Sequence, residues 1–465
     1  MISLTKTLKE FYDQDTVDGE AAPVLLYTRP PYLPSTSGNP SYIFHHAKSE
    51  AETLSGHIRE LPIRTQPISL IAGPMTIVDL YINDIAHGKL QHKAHEEDFY
   101  KTLQIIPAEQ RPNISFYQSL TAALDAVKPA TVLSRFPLSE PYPNCFIGAK
   151  TQYKLLSKRA LALSGLPVAK TEIVDINMCN IPNSEAHSRC VAFTTEVLEC
   201  ATCSDWIASE LHRLLGMLFS RPLPFVVKTQ QGMGGFGTWV CKSFEEKERA
   251  IKMLKKYLRT GLPKLIALPD WAALHPMSLI ISEVLPGETD AISFFSHKYG
   301  SVEYVSCVSQ SFDEEGHLAG GRIIYANEAA HEARSEALLS QLGKYLASKG
   351  YYGPAGIDAL TDHDGTLRIV DLNPRFPASF PLGVMRPHFD KRGFGVAQMV
   401  GPATFGCTRQ ELLDAFAEET KTGRLITLAW HEGHDECKSM GSLVVAGEGI
   451  EEVEELVKKI MKFKD

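Results

Sequence analysis

The chain has 465 residues, 44% hydrophobic and 22% charged, with a net charge of −8 and nine cysteines. That length allows two or three domains with a sizeable core. The negative balance argues against nonspecific nucleic-acid binding, no apolar run reaches the ~18 residues of a membrane span, and the cysteines are too sparse for a disulfide scaffold. Residues Met1 to Glu10 lack an apolar signal core, so a mature cytoplasmic protein is expected.

Residues 1–149 alternate short apolar runs with Pro-rich breaks. Strands are predicted at Val24–Tyr27, Ile68–Ala72 and Thr131–Leu133, with helical spacing from Tyr117 to Val127, which makes a small Rossmann-like α/β domain. A helix follows over Thr151–Ser164, stopped by Gly165 and Pro167, then a strand at Val168–Val174. Residues 176–203 are irregular, and a helix covers Asp205–Phe219. Strands are expected at Pro224–Lys228, Thr238–Cys241, Ser278–Glu283, Ala291–Phe295 and Val302–Val308, with one helix opening near Ser243 and another over Glu328–Lys349 ended by Gly350. Residues 387–465 read as a small C-terminal α/β unit, with a strand at Gly441–Gly447 and an amphipathic helix at Glu451–Phe463. The acids of that helix precede its bases, as the helix dipole prefers. No internal repeat or low-complexity tract is present.

Asp364-Gly365, flanked by alternating apolar residues, is a two-residue hairpin signal. Counting outward from it places Asp358 opposite Asp371, and directly opposed residues have Cβ atoms ~4.5–5.5 Å apart. Two carboxylates that close repel unless a positive charge lies between them. Asn373, two residues on, shares their face. An oxygen-only set of this kind suits Mg²⁺. Ile357, Ala359, Val370 and Leu372 make the other face apolar and argue for a buried sheet, against a solvated hairpin with two exposed acids.

Lys228 ends an apolar strand just before the glycine-rich stretch Gly232-Met233-Gly234-Gly235-Phe236-Gly237. Glycines there let successive N–H groups approach phosphate oxygens, and the lysine adds a point charge. No Gly-Lys-Ser/Thr ends the loop, and a strand follows it, so neither a Walker A loop nor a dinucleotide fingerprint fits. A flap between two strands closing over nucleotide phosphates fits better. Ser282 to Glu288 supplies a strand leading into a linker, an edge able to offer backbone groups to adenine and a carboxylate to ribose.

The order of these pieces resembles the ATP-grasp superfamily of carboxylate–amine and carboxylate–thiol ligases over Lys150 to Arg386. The resemblance implies an ATP-grasp catalytic domain at 150–386 behind an N-terminal pre-ATP-grasp domain, with ATP and Mg²⁺ (or Mn²⁺) as cofactors. Lys154, followed by Gly165-Leu166-Pro167, resembles the first nucleotide lysine, with Lys158 one turn further on as the alternative. Lys228 resembles the second lysine, and Gly234, Gly235 and Gly237 the phosphate flap. Glu283 and Leu285 resemble the adenine segment, with Glu288 or Asp290 as the ribose acid. Asp358, Asp371 and Asn373 resemble the metal ligands, the first of them Asp where Glu is commoner. Arg375, of the Asn-Pro-Arg signature, and Arg322 are implied as the arginines steadying the transferring phosphoryl group. Pro377 to Gly383, directly after the signature, reads either as a stiff loop that shapes the acceptor pocket or as a simple connection.

The implied reaction phosphorylates a carboxylate and couples it to an amine, an amino acid or small peptide, releasing ADP. A biotin-type carboxylase and a non-catalytic nucleotide-binding regulator are the alternatives. A homodimer is the default oligomer. His187 with Cys190, and Cys200 with Cys203, have zinc-like spacing. A helix start with buried thiols explains the second pair better, and a polar loop better explains His431, His434 and Cys437. His45-His46 has no evident partner.

Overall fold

The structure, a computed structural model, describes residues 1–2, 4–16, 20–27, 63–81, 88–138, 142–177, 200–232, 236–267, 274–312, 318–432 and 438–464. In the N-terminal domain, β1 (Val24–Leu26), β2 (Thr76–Leu80), β3 (Asn113–Tyr117) and β4 (Val132–Ser134) form a parallel sheet in the order β3-β2-β1-β4. β1 and β4 are buried at every position, as the short apolar runs of a covered parallel sheet should be. The strand order reverses between β1 and β4, and ligands of open α/β sheets bind outside the carboxyl ends at such a switch point. The residues directly after those two strands are Tyr27 and Arg135. The run Ile68–Ala72, expected as a strand, lies instead in the helix Gln66–Ile71 and its cap, with Pro67 in the first turn. A short apolar run that is buried all round carries no period, so it does not distinguish the two.

The region after the N-terminal domain begins with a break. The expected helix over 151–164 is two short helices, Ala149–Leu155 and Lys158–Ala162. Ser157 caps the second, its Oγ accepting from Ala160 N at 3.0 Å. This restart redirects Lys158 inward. β5 (Thr171–Val174), β6 (Phe225–Thr229), β7 (Thr238–Cys241) and β8 (Leu279–Ser282) form an antiparallel sheet in the order β5-β8-β6-β7. The helices Ala201–Ser220 and Phe244–Ala267 cover it, packing Trp206, Leu214, Leu254 and Leu258 against Val227 and Ile281.

An eight-stranded antiparallel sheet completes the molecule. Its strands are β9 (Asp290–Ser296), β10 (Val302–Phe312), β11 (Leu318–Ile324), β12 (Gly353–Thr361), β13 (Leu367–Asn373), β14 (Val396–Phe405), β15 (Leu425–His431) and β16 (Ser439–Gly447), ordered β13-β12-β9-β10-β11-β14-β16-β15. The expected C-terminal unit is therefore not a sheet of its own, because β14 pairs with β11 and carries β16 and β15 outward. The helix Glu328–Ser348 sets Leu338, Leu342 and Leu346 against Phe294, Ile357 and Leu372.

The N-terminal domain shares a core with this sheet, since Ile68, Phe99 and Leu103 belong to the same buried cluster as Phe295, Phe380, Ile426 and Val444. Gln66 fixes the contact. Fully buried, it donates to the Trp430 carbonyl at 3.0 Å, and its oxygen accepts from Trp430 N at 2.9 Å and Thr102 Oγ1 at 2.7 Å. Gln66→Ala leaves both backbone groups of Trp430 buried and unpaired. It should cost about 2–4 kcal/mol in urea unfolding, where a well-tolerated exposed change costs under about 0.5.

Candidate active site

The centre of the site is the β12–β13 hairpin. Asp358 pairs with Asp371, the juxtaposition expected, but by a different path. The loop is His363-Asp364-Gly365, closed by Asp362 N donating to Thr366 O at 2.9 Å, with Gly365 at φ +80°. It is one residue longer than the two-residue turn predicted, and straight counting from it would set Asp358 opposite Val370. A bulge between Asp358 and Ala359 on the ladder skips Val370 and restores Asp371. Ile369, not Val370, then joins Ile357, Ala359 and Leu372 on the core face.

The bulge also frees the Val370 carbonyl, which accepts from Lys228 Nζ at 2.7 Å. Lys228 is buried at the end of β6, and desolvation pulls its ammonium down to about 8, partly countered by the charge of Asp371. Lys158, 6% exposed, puts its Nζ 3.2 Å from Asp371 Oδ1 and donates to the Gly232 carbonyl at 3.3 Å. Asp358 accepts from Gln310 Nε2 at 3.1 Å. Burial, and next the Asp371 charge, push its carboxyl up to about 7. Asn373 Oδ1 accepts from Arg375 at 2.7 Å. Desolvation, and next the nearby charge of Arg135, lower the Arg375 guanidinium to about 10.

These groups line one cavity of about 470 Å³, together with Gly232, Phe236, Gly320, Gly321, Ser379 and, from the N-terminal side, Arg64, Arg135 and Phe136. The flap base is tightly folded: a Cβ on Gly232 would lie 1.9 Å from the Phe236 carbonyl oxygen. Gly237 sits at φ +77°, and Thr229 N donates to its carbonyl at 2.8 Å. Gly234 and Gly235 lie outside the described residues.

Of the expected site residues, the structure brings Lys228, Asp358, Asp371, Asn373 and Arg375 to the cavity. Between the two candidate first lysines, Lys154 is exposed and does not line it, whereas Lys158 does. Arg322 is turned away: it donates to Gln398 at 3.0 Å and to Glu454 at 2.8 Å, while its neighbours Gly320 and Gly321 line the cavity. Glu283 is exposed and accepts from Lys170 N at 2.7 Å, Leu285 is half-buried, Glu288 is exposed, and none of the three lines the cavity. Asp290 pairs with Arg334 and lies in a cluster with Cys307 and His331, one residue from the cavity-lining Ala291. Pro377, Ala378 and Ser379 of the stiff loop do line the cavity.

Sequence reasoning missed Arg135, Arg64 and Gln310. The available signal for Arg135 was a charge directly after a short apolar strand. Of the zinc-like spacings, Cys203 is buried in the helix Ala201–Ser220 and His431 pairs with Asp98 at 3.1 Å. His45, His46, His187, Cys190, His434 and Cys437 lie outside the described residues. Among the described residues, no helix is long and apolar enough to cross a membrane.

Residues 217–379 match the family described as ATP-grasp domain, and the chain contains an ATP-grasp domain there. No curated protein sequence matches. Among solved structures, an L-amino acid ligase from Bacillus licheniformis is similar over 97% of this chain and 99% of its own, at 12% identity and a TM-score of 0.48. An N5-carboxyaminoimidazole ribonucleotide synthetase from Thermus thermophilus is similar over 95% and 98%, at 13% identity and 0.46. A biotin carboxylase from Campylobacter jejuni is similar over 95% and 91%, at 10% identity and 0.46.

The raised Asp358 carboxyl sets a pH-dependent cost. Its folded value lies above the ordinary carboxylate value of 3.8, so the cost is small below about pH 4, grows up to about 7 and is complete above that. Asp358→Asn should therefore stabilise the metal-free chain at pH 8 by about 1–3 kcal/mol, with the gain shrinking as pH falls toward 4. Urea unfolding of both forms across that range checks it.

Proposed function

We propose that the chain is an ATP-dependent ligase that phosphorylates a small carboxylate and joins it to an amine, an amino acid or small peptide, releasing ADP and phosphate. The observation that carries this reading is the convergence on one cavity of two register-paired carboxylates, two buried lysines and Arg375. The donor set fits a hard divalent cation. Asp358, Asp371 and Asn373 offer oxygen only, and the mutual repulsion of the two acids is what such a charge would relieve. Those three residues would hold Mg²⁺ or Mn²⁺, which when bound supplies charge neutralisation at the β- and γ-phosphates.

The chain's own residues then divide the work. Lys158 and Lys228 hold phosphate oxygens of ATP. A substrate carboxylate oxygen bonds to the γ-phosphorus as the bond to the bridging oxygen breaks, and ADP leaves with that electron pair. Arg375 offsets the charge spread over the transferring group, so catalysis rests on positioning and electrostatics. The amine then attacks the acyl carbon and loses a proton, and phosphate departs with the C–O electrons. No protein nucleophile is needed.

An ADP-release screen over paired carboxylates and amines tests this reading. Release that requires both partners is the expected result. AMP with pyrophosphate would assign an adenylating enzyme, and release driven by bicarbonate alone a carboxylase. Asp371→Asn and Asn373→Ala should each abolish ADP release while far-UV circular dichroism is unchanged. Lys158→Ala should weaken MgADP binding about 10-fold or more, as loss of a charge-assisted contact does. Lys154→Ala should change it less than about 2-fold, as an exposed charge would.

A further inference from the structure

We propose that Arg135 of the N-terminal domain, together with Arg375, binds the oxyanion of the carboxylate substrate in a two-arginine clamp that spans the domains. The role of that carboxylate as a substrate rests on the ligase reading; the anion site does not.

The first support is position. Arg135 follows β4 directly, and Tyr27 follows β1, so both stand at the reversal of strand order in the parallel sheet. That crevice opens onto the same cavity that Arg375 lines. The second is the way Arg135 is held. Its Nη1 donates to Tyr27 Oη at 2.7 Å, and its guanidinium carbon lies 5.6 Å from the Tyr27 ring centre and 5.4 Å from that of Phe136. These contacts fix the plane of the fork without spending its charge, since they include no carboxylate.

The third support is what is left unpaired. The Nε atoms of both Arg135 and Arg375 are buried, and among the described residues neither has an acceptor and neither arginine has a carboxylate within 4.0 Å. Two guanidinium groups lining one cavity favour an anion there, and a planar carboxylate matches each fork with two hydrogen bonds. Phe136, Pro377, Met399 and Pro402 supply an apolar wall beside them, suited to the carbon skeleton of a small acid.

The test titrates the full-length chain, with and without MgADP, using propionate, inorganic phosphate and the neutral isostere propionamide, read by calorimetry. Propionate should bind more tightly than propionamide. Arg135→Gln should weaken propionate about 10-fold or more, Arg135→Lys less, and both should keep MgADP affinity within about 2-fold. Phosphate binding that survives Arg135→Gln would assign that ion to the lysines and leave the carboxylate to Arg135, as proposed. Unchanged propionate affinity in Arg135→Gln would overturn the proposal, and so would equal binding of propionate and propionamide by the wild type. A loss of MgADP affinity in both folded variants would overturn it too, by placing Arg135 in the nucleotide site. A wild type without ATP turnover would sink the ligase reading and leave these titrations standing.

Discussion

Everything in the cavity is arranged around two like charges on neighbouring strands. Asp358 and Asp371 face each other only because the ladder skips Val370. The same skip turns a backbone carbonyl toward Lys228. One irregularity therefore does two jobs, bringing the acids together and seating a lysine beside them. Bulges next to sites commonly re-aim groups in this way. A regular hairpin with the same loop would leave Asp358 opposite Val370, and the opposed pair of acids would not exist.

The compensating cations come from far apart in the chain. Lys158 rides on a helix restarted at Ser157, Lys228 ends β6 of the small sheet, Arg375 follows β13 of the large one, and Arg135 follows β4 of the N-terminal sheet. The docking of these sheets decides whether the charges meet. That gives the buried Gln66–Trp430 contact a significance beyond stability, because it clamps the N-terminal domain onto strand β15 of the sheet that carries the acids.

What the sequence made legible follows the range of the interactions. The strands on either side of the glycine-rich stretch and the long helix at 328–348 are local patterns, and they lie where expected. The acid pair was placed through two departures that cancel, a loop one residue longer than predicted and a bulge that restores the pairing. Neither leaves a period in the sequence. Arg322 shows the limit of motif reading: on β11 a side chain one residue from a cavity-lining glycine points to the other face, and Glu454 from the C-terminal helix is what meets it there. The choice between Lys154 and Lys158 turned on a helix break that residue spacing does not reveal, since both lie on the same helical pattern. Arg135, a charge directly after a short apolar strand, owes its place at the cavity to the strand order, a tertiary fact.

The electrostatics of the cavity run against those of the whole molecule. The chain carries a net charge of −8, yet the cavity wall holds Arg64, Arg135, Lys158, Lys228 and Arg375 against Asp358 and Asp371. Beyond the Debye length of about 8 Å at physiological salt, the negative body offers no attraction to an anion. Within the cleft, low-dielectric walls focus the local positive field. A field of that sign favours oxyanions such as phosphate and carboxylate, while the opposed carboxylates favour a cation. Selectivity among anions then depends on fork geometry more than on charge. A lysine accepts any oxyanion as a point charge, whereas a guanidinium plane fixed between two aromatic rings accepts one whose oxygens lie in that plane.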